Sequence, residues 1–115
     1  MAQIGFTREQ FEREMYSLAS LGMNRVSDWC ARFGYGRNYL RMASHRFTGR
    51  STKDAYKHYQ LQVARDMVLH SNLNSSAIAI KLGRSDQWLS REYQIAFGES
   101  ITSTRQKKLW SGFKR

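Results

Sequence analysis

The chain has 115 residues, 41% hydrophobic and 13% aromatic, enough for one packed domain or two very small ones sharing a helix. Nineteen Lys and Arg against nine Asp and Glu leave a net charge of +10, a field that draws polyanions, with nucleic acid the first candidate and an anionic membrane surface the second. The single cysteine excludes an internal disulfide, the three histidines lack metal-ligand spacing, and no apolar run approaches the ~20 residues of a membrane span. The N-terminus has no basic stretch followed by an apolar one, so a reducing cytoplasm is the expected home.

The elements are all helical. Thr7 with Gln10 three residues on predicts a capping box, and Phe6 with Phe11 a hydrophobic staple, for a first helix whose Phe11, Met15, Leu18 and Leu21 face the core. Gly22 ends it. A second helix, about Arg25 to Phe33, turns Val26, Trp29, Cys30 and Phe33 inward, with Cys30 expected as a buried free thiol. Gly34 makes the turn into a third helix from Arg37 to Thr48, with Leu40, Ala43 and Phe47 inside. Gly49 stops it. Ser51 with Asp54 opens the longest helix, Thr52 to His70, whose apolar side carries Ala55, Tyr56, Tyr59, Val63, Ala64, Met67 and Val68. At 1.5 Å per residue it spans about 28 Å.

A polar connection, residues 71–75, caps a fifth helix read as Ala77 to Leu82. Gly83 turns the chain, Ser85 caps a sixth helix running to Phe97, and Ser100 caps a last one through about Leu109. Lys107, Lys108, Lys114 and Arg115 form a basic tail expected to be mobile. The fold class is therefore all-α, about seven helices, with two helix-turn-helix units joined by a long central linker helix. In domain terms, residues 1–50 hold a support helix and the first unit, 51–71 the linker, and 72–115 the second unit and tail.

Two units are inferred because the chain repeats. Gly34 and Gly83 stand 49 residues apart, and the same offset lays Trp29 on Ile78, Cys30 on Ala79, Phe33 on Leu82, Leu40 on Leu89, Gly49 on Gly98 and Ser51 on Ser100. Turn glycines, caps and apolar faces all coincide, as two copies of one packing unit require. The second helix of such a unit is the usual reader of the DNA major groove.

On the third helix Asn38, Arg41, Met42 and His45 share the face opposite the core. On the sixth, Gln87, Ser90, Arg91 and Gln94 do the same. Arg41 and Arg91 suit guanine O6/N7, Asn38 and Gln87 suit adenine N6/N7, Met42 suits a thymine methyl, and Ser90 completes the base-reading set. Arg37, Arg46, Arg50, Lys57 and Arg84 are the phosphate candidates, which set register without reading sequence. Positions 42 and 91 are equivalent yet hold Met and Arg, so the two half-sites should differ and the target should not be a palindrome. Trp88, like Tyr39 in the first copy, borders the two faces.

These residues resemble the AraC/XylS class of bacterial transcription regulators. The second unit carries the pattern best: Ile78-Ala79, Gly83, Leu89-Ser90-Arg91-Glu92-Tyr93, Phe97-Gly98-Glu99-Ser100 and Arg105. In the first, Phe33-Gly34-Tyr35, Leu40 and Thr48-Gly49-Arg50-Ser51 match, followed by Leu61 and Ala64; the likeness covers about residues 7 to 106. It implies seven helices, two units rigidly linked by the fourth, binding as a monomer to an asymmetric site of about two turns of double-stranded DNA, and activation through RNA polymerase. It further implies the small stand-alone subgroup, with no small-molecule effector domain and no cofactor, in the bacterial cytoplasm or nucleoid. The chain departs from the pattern at Thr52 and Ile101, where proline is usual, at Arg84, where an aromatic follows the turn glycine, and at Ser75, where an aliphatic is usual. Ser44 replaces a large aromatic, which predicts a thinner first core, and the aromatic expected at Ala55 is shifted to Tyr56.

The alternative is a small mobile-element interaction protein that binds a host regulator or RNA polymerase, with DNA affinity mainly electrostatic. An enzyme is not expected: the one Cys lies on an apolar helix face, with no base motif, acidic pair or phosphate loop beside it. No membrane partner is expected, since the apolar residues are needed inside.

Overall fold

The computed structural model describes residues 3–113, with side chains through Trp110. Among them are seven helices: α1 (Arg8–Ser20), α2 (Val26–Phe33), α3 (Arg37–Thr48), α4 (Thr52–His70), α5 (Ser75–Lys81), α6 (Asp86–Phe97) and α7 (Ile101–Phe113). The 49-residue repeat survives as geometry. α3 and α6 are both 12 residues long, and α4 and α7 start at equivalent positions. The chain divides into two compact units, Met1–Gln60 and Leu61–Arg115, so α4 contributes its first half to one and its second half to the other.

In the first unit the capping box forms as expected. Thr7 Oγ1 accepts from the Gln10 N–H at 3.1 Å and Gln10 Oε1 accepts from the Thr7 N–H at 2.8 Å. Phe6 meets Phe11 with ring centroids 6.2 Å apart, and Phe33, Tyr35, Tyr39 and Phe47 surround it at 5.0–6.1 Å. Phe11, Met15, Leu18, Trp29, Leu40 and Tyr56 are fully or almost fully buried, each contributing roughly 1.5–3 kcal/mol.

Tyr56 answers the question raised by Ser44. Its ring lies 4.4 Å from Trp29, and its hydroxyl donates to Asn24 Oδ1 at 2.8 Å. The first core is thus filled from α4 rather than from α3. Ser44, itself fully buried, donates to the Arg50 carbonyl at 2.8 Å and ties the end of α3 to the start of α4. Gln60 is buried because its Nε2 donates to the same Asn24 Oδ1 at 3.0 Å.

In the second unit Ile78, Ala79, Leu82, Leu89, Tyr93 and Ile101 are buried, as are Val63, Ala64 and Val68 of the second half of α4. The Tyr93 hydroxyl donates to Thr104 Oγ1 at 2.9 Å, and Thr104 donates on to Glu99 Oε2 at 2.6 Å. Arg105 donates to the carbonyls of Val68 and Ser71 at 3.2 and 3.3 Å, satisfying backbone acceptors at the C-terminal end of α4. The turns between the paired helices need glycine. Gly34 and Gly83 have φ of +76° and +68°, a region costly for any residue with a Cβ. At Gly83 two crossed bonds close the turn, Gly83 N–H to Ile80 O and Arg84 N–H to Ala79 O.

Several expectations need correction. Leu21 is not in the core but 62% exposed, because α1 ends at Ser20 and the cap residue lies past the last packed turn. Cys30 is only half-buried; the two-turn α2 buries Trp29 alone completely. α5 starts at Ser75, two residues before the expected Ala77, because Asn74 Oδ1 accepts from the Ala77 N–H at 2.8 Å. α7 continues to Phe113, so Lys107 and Lys108 are helical rather than tail residues. Lys107 is held by Glu99 at 2.9 Å. Lys114 and Arg115 lie outside the described residues.

Candidate nucleic-acid interface

α3 is two-faced by construction. Leu40, Ala43 and Ser44 are buried, and the intervening Asn38, Arg41, Met42 and His45 are exposed on the other side. Gly36 caps it without a side chain, so nothing bulky precedes Arg37 at the helix start. Arg37 and Arg41 make no hydrogen bond or ion pair with other described residues. Arg50 is exposed, and its backbone is pinned from both sides, its N–H donating to Thr48 Oγ1 and its carbonyl accepting from Ser44. Arg46 and Lys57 are also exposed. Burial, and then the nearby Arg50 charge, hold the His58 imidazole below its ordinary pKa of 6.5.

α6 repeats the plan with different chemistry. Leu89 and Tyr93 are buried, and Ser85 Oγ accepts from the Trp88 N–H at 3.0 Å to start the helix. Gln87, Ser90, Arg91 and Gln94 are exposed and line one shallow depression together with Asp86. The Arg91 Nε donates to Glu92 Oε2 at 3.3 Å; the arginine side chain is two-thirds exposed and the glutamate mostly buried. Arg84 differs from the other phosphate candidates. Its guanidinium is half-buried and lies 4.5 Å over the Trp88 ring, which explains why Trp88 sits at the border of core and surface.

All six base-reading candidates are therefore solvent-facing, three on each of two equivalent helices, and four of the five phosphate candidates are exposed beside α3 or on the first half of α4. Two further residues escape the sequence pattern. Ile95 is 71% exposed, one turn beyond Arg91 on the same side of α6. Asp86 begins α6 and accepts from the Ser76 hydroxyl at 2.8 Å. Both carry a readable signal: the first is an apolar residue continuing a polar stripe, the second the acidic counterpart of Arg37. Among the described residues no group of three or more His, Cys, Asp or Glu is placed to hold a metal ion, and no helix is long and apolar enough to cross a membrane.

The fold and these faces define an all-α helix-turn-helix protein with two units in one chain. Its fold is that of an AraC-type DNA-binding domain. The C-terminal domain of AraT, a response regulator from Geobacillus stearothermophilus, superposes with a TM-score of 0.73 at 15% identity, over 92% of this chain and 88% of that one. A probable AraC family transcriptional regulator from Rhodopseudomonas palustris CGA009 superposes with a TM-score of 0.65 at 23% identity, over 87% and 94%. No family model and no curated protein matches the sequence.

Proposed function

We propose that the protein is a sequence-specific double-stranded DNA-binding transcription regulator. One observation carries this reading: two equivalent helices each bury one face and present on the other an exposed row of side chains suited to base edges. Both similar structures are of regulators, and the +10 charge favours capture of DNA. In this reading Asn38, Arg41, Met42, Gln87, Ser90 and Arg91 read bases, while Arg37, Arg46, Arg50, Lys57 and Arg84 hold phosphates. Binding is as a monomer, with the two helices in successive major grooves about 34 Å apart. Activation through contact with RNA polymerase is the part of the reading that rests on the family resemblance alone, and a promoter-reporter assay tests it.

The primary test is a competition gel shift with sites selected from a random DNA pool. Specific binding should survive excess random duplex at about 150 mM salt; if every sequence competes equally, the reading fails. Arg41→Ala should relax preference at one base position by roughly 1–3 kcal/mol, whereas Lys57→Ala should weaken all sites alike. The rival reading, an interaction protein with only electrostatic DNA affinity, draws on the exposed Leu109 and Trp110 of α7. It predicts the failing result in that gel shift.

A further inference from the structure

The two units carry equivalent helices but not equivalent charge. Residues 29–53 contain Arg32, Arg37, Arg41, Arg46, Arg50 and Lys53 and no acid. The equivalent residues 78–102 contain Lys81, Arg84 and Arg91 against Asp86, Glu92 and Glu99. Arg37 in the first copy corresponds to Asp86 in the second, and Arg50 to Glu99. The three arginines of the second unit that lie nearest α6 in the chain, Arg84, Arg91 and Arg105, are engaged within it, while Lys81 is exposed. Arg84 lies over Trp88, Arg91 donates to Glu92, and Arg105 is spent on backbone carbonyls. Arg37 and Arg41 have no such partner among the described residues.

What α6 does expose is mainly uncharged: Gln87, Ser90, Gln94 and Ile95. Ile95 takes the place that Arg46 holds in α3. A glutamine pairs with adenine through N6 and N7, and an aliphatic side chain packs on the thymine methyl. Arg91 still has its terminal nitrogens to offer a guanine while Glu92 holds its Nε, but the pair releases little counterion because it is already neutralised.

Building on the DNA-binding reading above, we propose that the two units divide the work. The first supplies the phosphate-held, salt-dependent affinity. The second is a charge-balanced reader of an A·T-rich half-site, with Gln87, Gln94 and Ile95 as specificity residues and Glu92 positioning Arg91 for a single guanine.

The test uses the full chain and measures affinity by fluorescence anisotropy from about 50 to 200 mM salt, on random-sequence duplex and on sites selected from a random pool. Removing one phosphate-binding cation lowers the slope of log K against log salt by about 0.9. Arg37→Gln with Arg50→Gln should therefore remove roughly two from the slope on either duplex, while Arg91→Gln should change it by less than about half a unit. Arg91→Gln should instead lose roughly 5- to 100-fold discrimination at one G·C position of the selected site. Ile95→Ala should lose about 3- to 10-fold preference for thymine at one position, with the slope unchanged. Equal slope changes for the arginine variants of both units, or a G·C-rich half-site that shifts on changing Gln87 or Ile95, overturn the division. If no sequence is preferred, the regulator reading falls and with it the A·T-reading half of this proposal, while the slopes on random duplex still decide the other half.

Discussion

Tyr56 shows how one residue can stand in for another. Where Ser44 leaves the first core short of an aromatic, Tyr56 reaches in from α4, packs its ring at a tilt against Trp29 and donates to Asn24. The two consequences separate cleanly. Tyr56→Phe keeps the ring and gives up the hydroxyl, which donates to Asn24 Oδ1 at 2.8 Å and more weakly to the Leu18 carbonyl at 3.3 Å, and Asn24 Oδ1 still accepts from Gln60. It should cost about 1 kcal/mol. Tyr56→Ala empties the space beneath Trp29 and should cost roughly 3–5 kcal/mol, read as denaturant or thermal unfolding. If Tyr56→Ala costs no more than Tyr56→Phe, the ring is not filling the core. Arg84 makes the opposite point. In the free protein the Arg84 guanidinium lies over Trp88, a choice invisible in the sequence because Gly83-Arg84 reads the same whether the guanidinium stacks or extends.

At the scale of the element, the local signals are enough to place most helix ends. Thr7, Ser85 and Ser100 accept from backbone N–H groups of the turn that follows them. Ser51 does the same for Asp54. Gly34 tests the turn. A Cβ built there meets nothing within 4 Å, so Gly34→Ala is disfavoured only by its φ of +76°. It should cost about 1–2 kcal/mol, and Gly34→Asn less, because asparagine tolerates this region. A thermal melt in which the two variants behave alike would refute the assignment of the cost to backbone conformation. The ends that depart from the sequence pattern, at Ser75 and Phe113, lie where two polar residues compete as caps or where no breaker stands before the last turn.

At the scale of the whole molecule, stability should depend on pH in a definable way. The folded protein holds His58 below pKa 6.5, mainly by burial and then by Arg50. The unfolded chain therefore takes the proton first, and stability is full above about pH 6.5 and declines as pH falls below it. Glu99 is held below its ordinary 4.5 by hydrogen bonds from Thr104 and then Lys107. Its contribution is present above that value and is lost as pH falls through the lowered folded pKa. Melting temperature followed from about pH 8 to about pH 3 should thus show two separate declines, with His58→Gln removing the upper one and Glu99→Gln the lower. A single decline unaffected by His58→Gln would contradict the lowered pKa of the half-buried imidazole.

The amino-acid sequence by itself determined the number and order of helices, most of their ends, the two-fold repeat and the outward rows of α3 and α6. These follow from capping, glycine turns and 3.6-residue periodicity, interactions that act within a few residues. Tertiary structure alone decided which apolar residues are actually covered. Leu21 follows the same spacing as Leu18 but is left exposed, Cys30 is half-covered, Tyr56 replaces an aromatic from another helix, and Ile95 stays in solvent. Burial depends on side chains tens of residues away in the chain, and a helical face can offer itself for packing without any neighbour arriving to cover it.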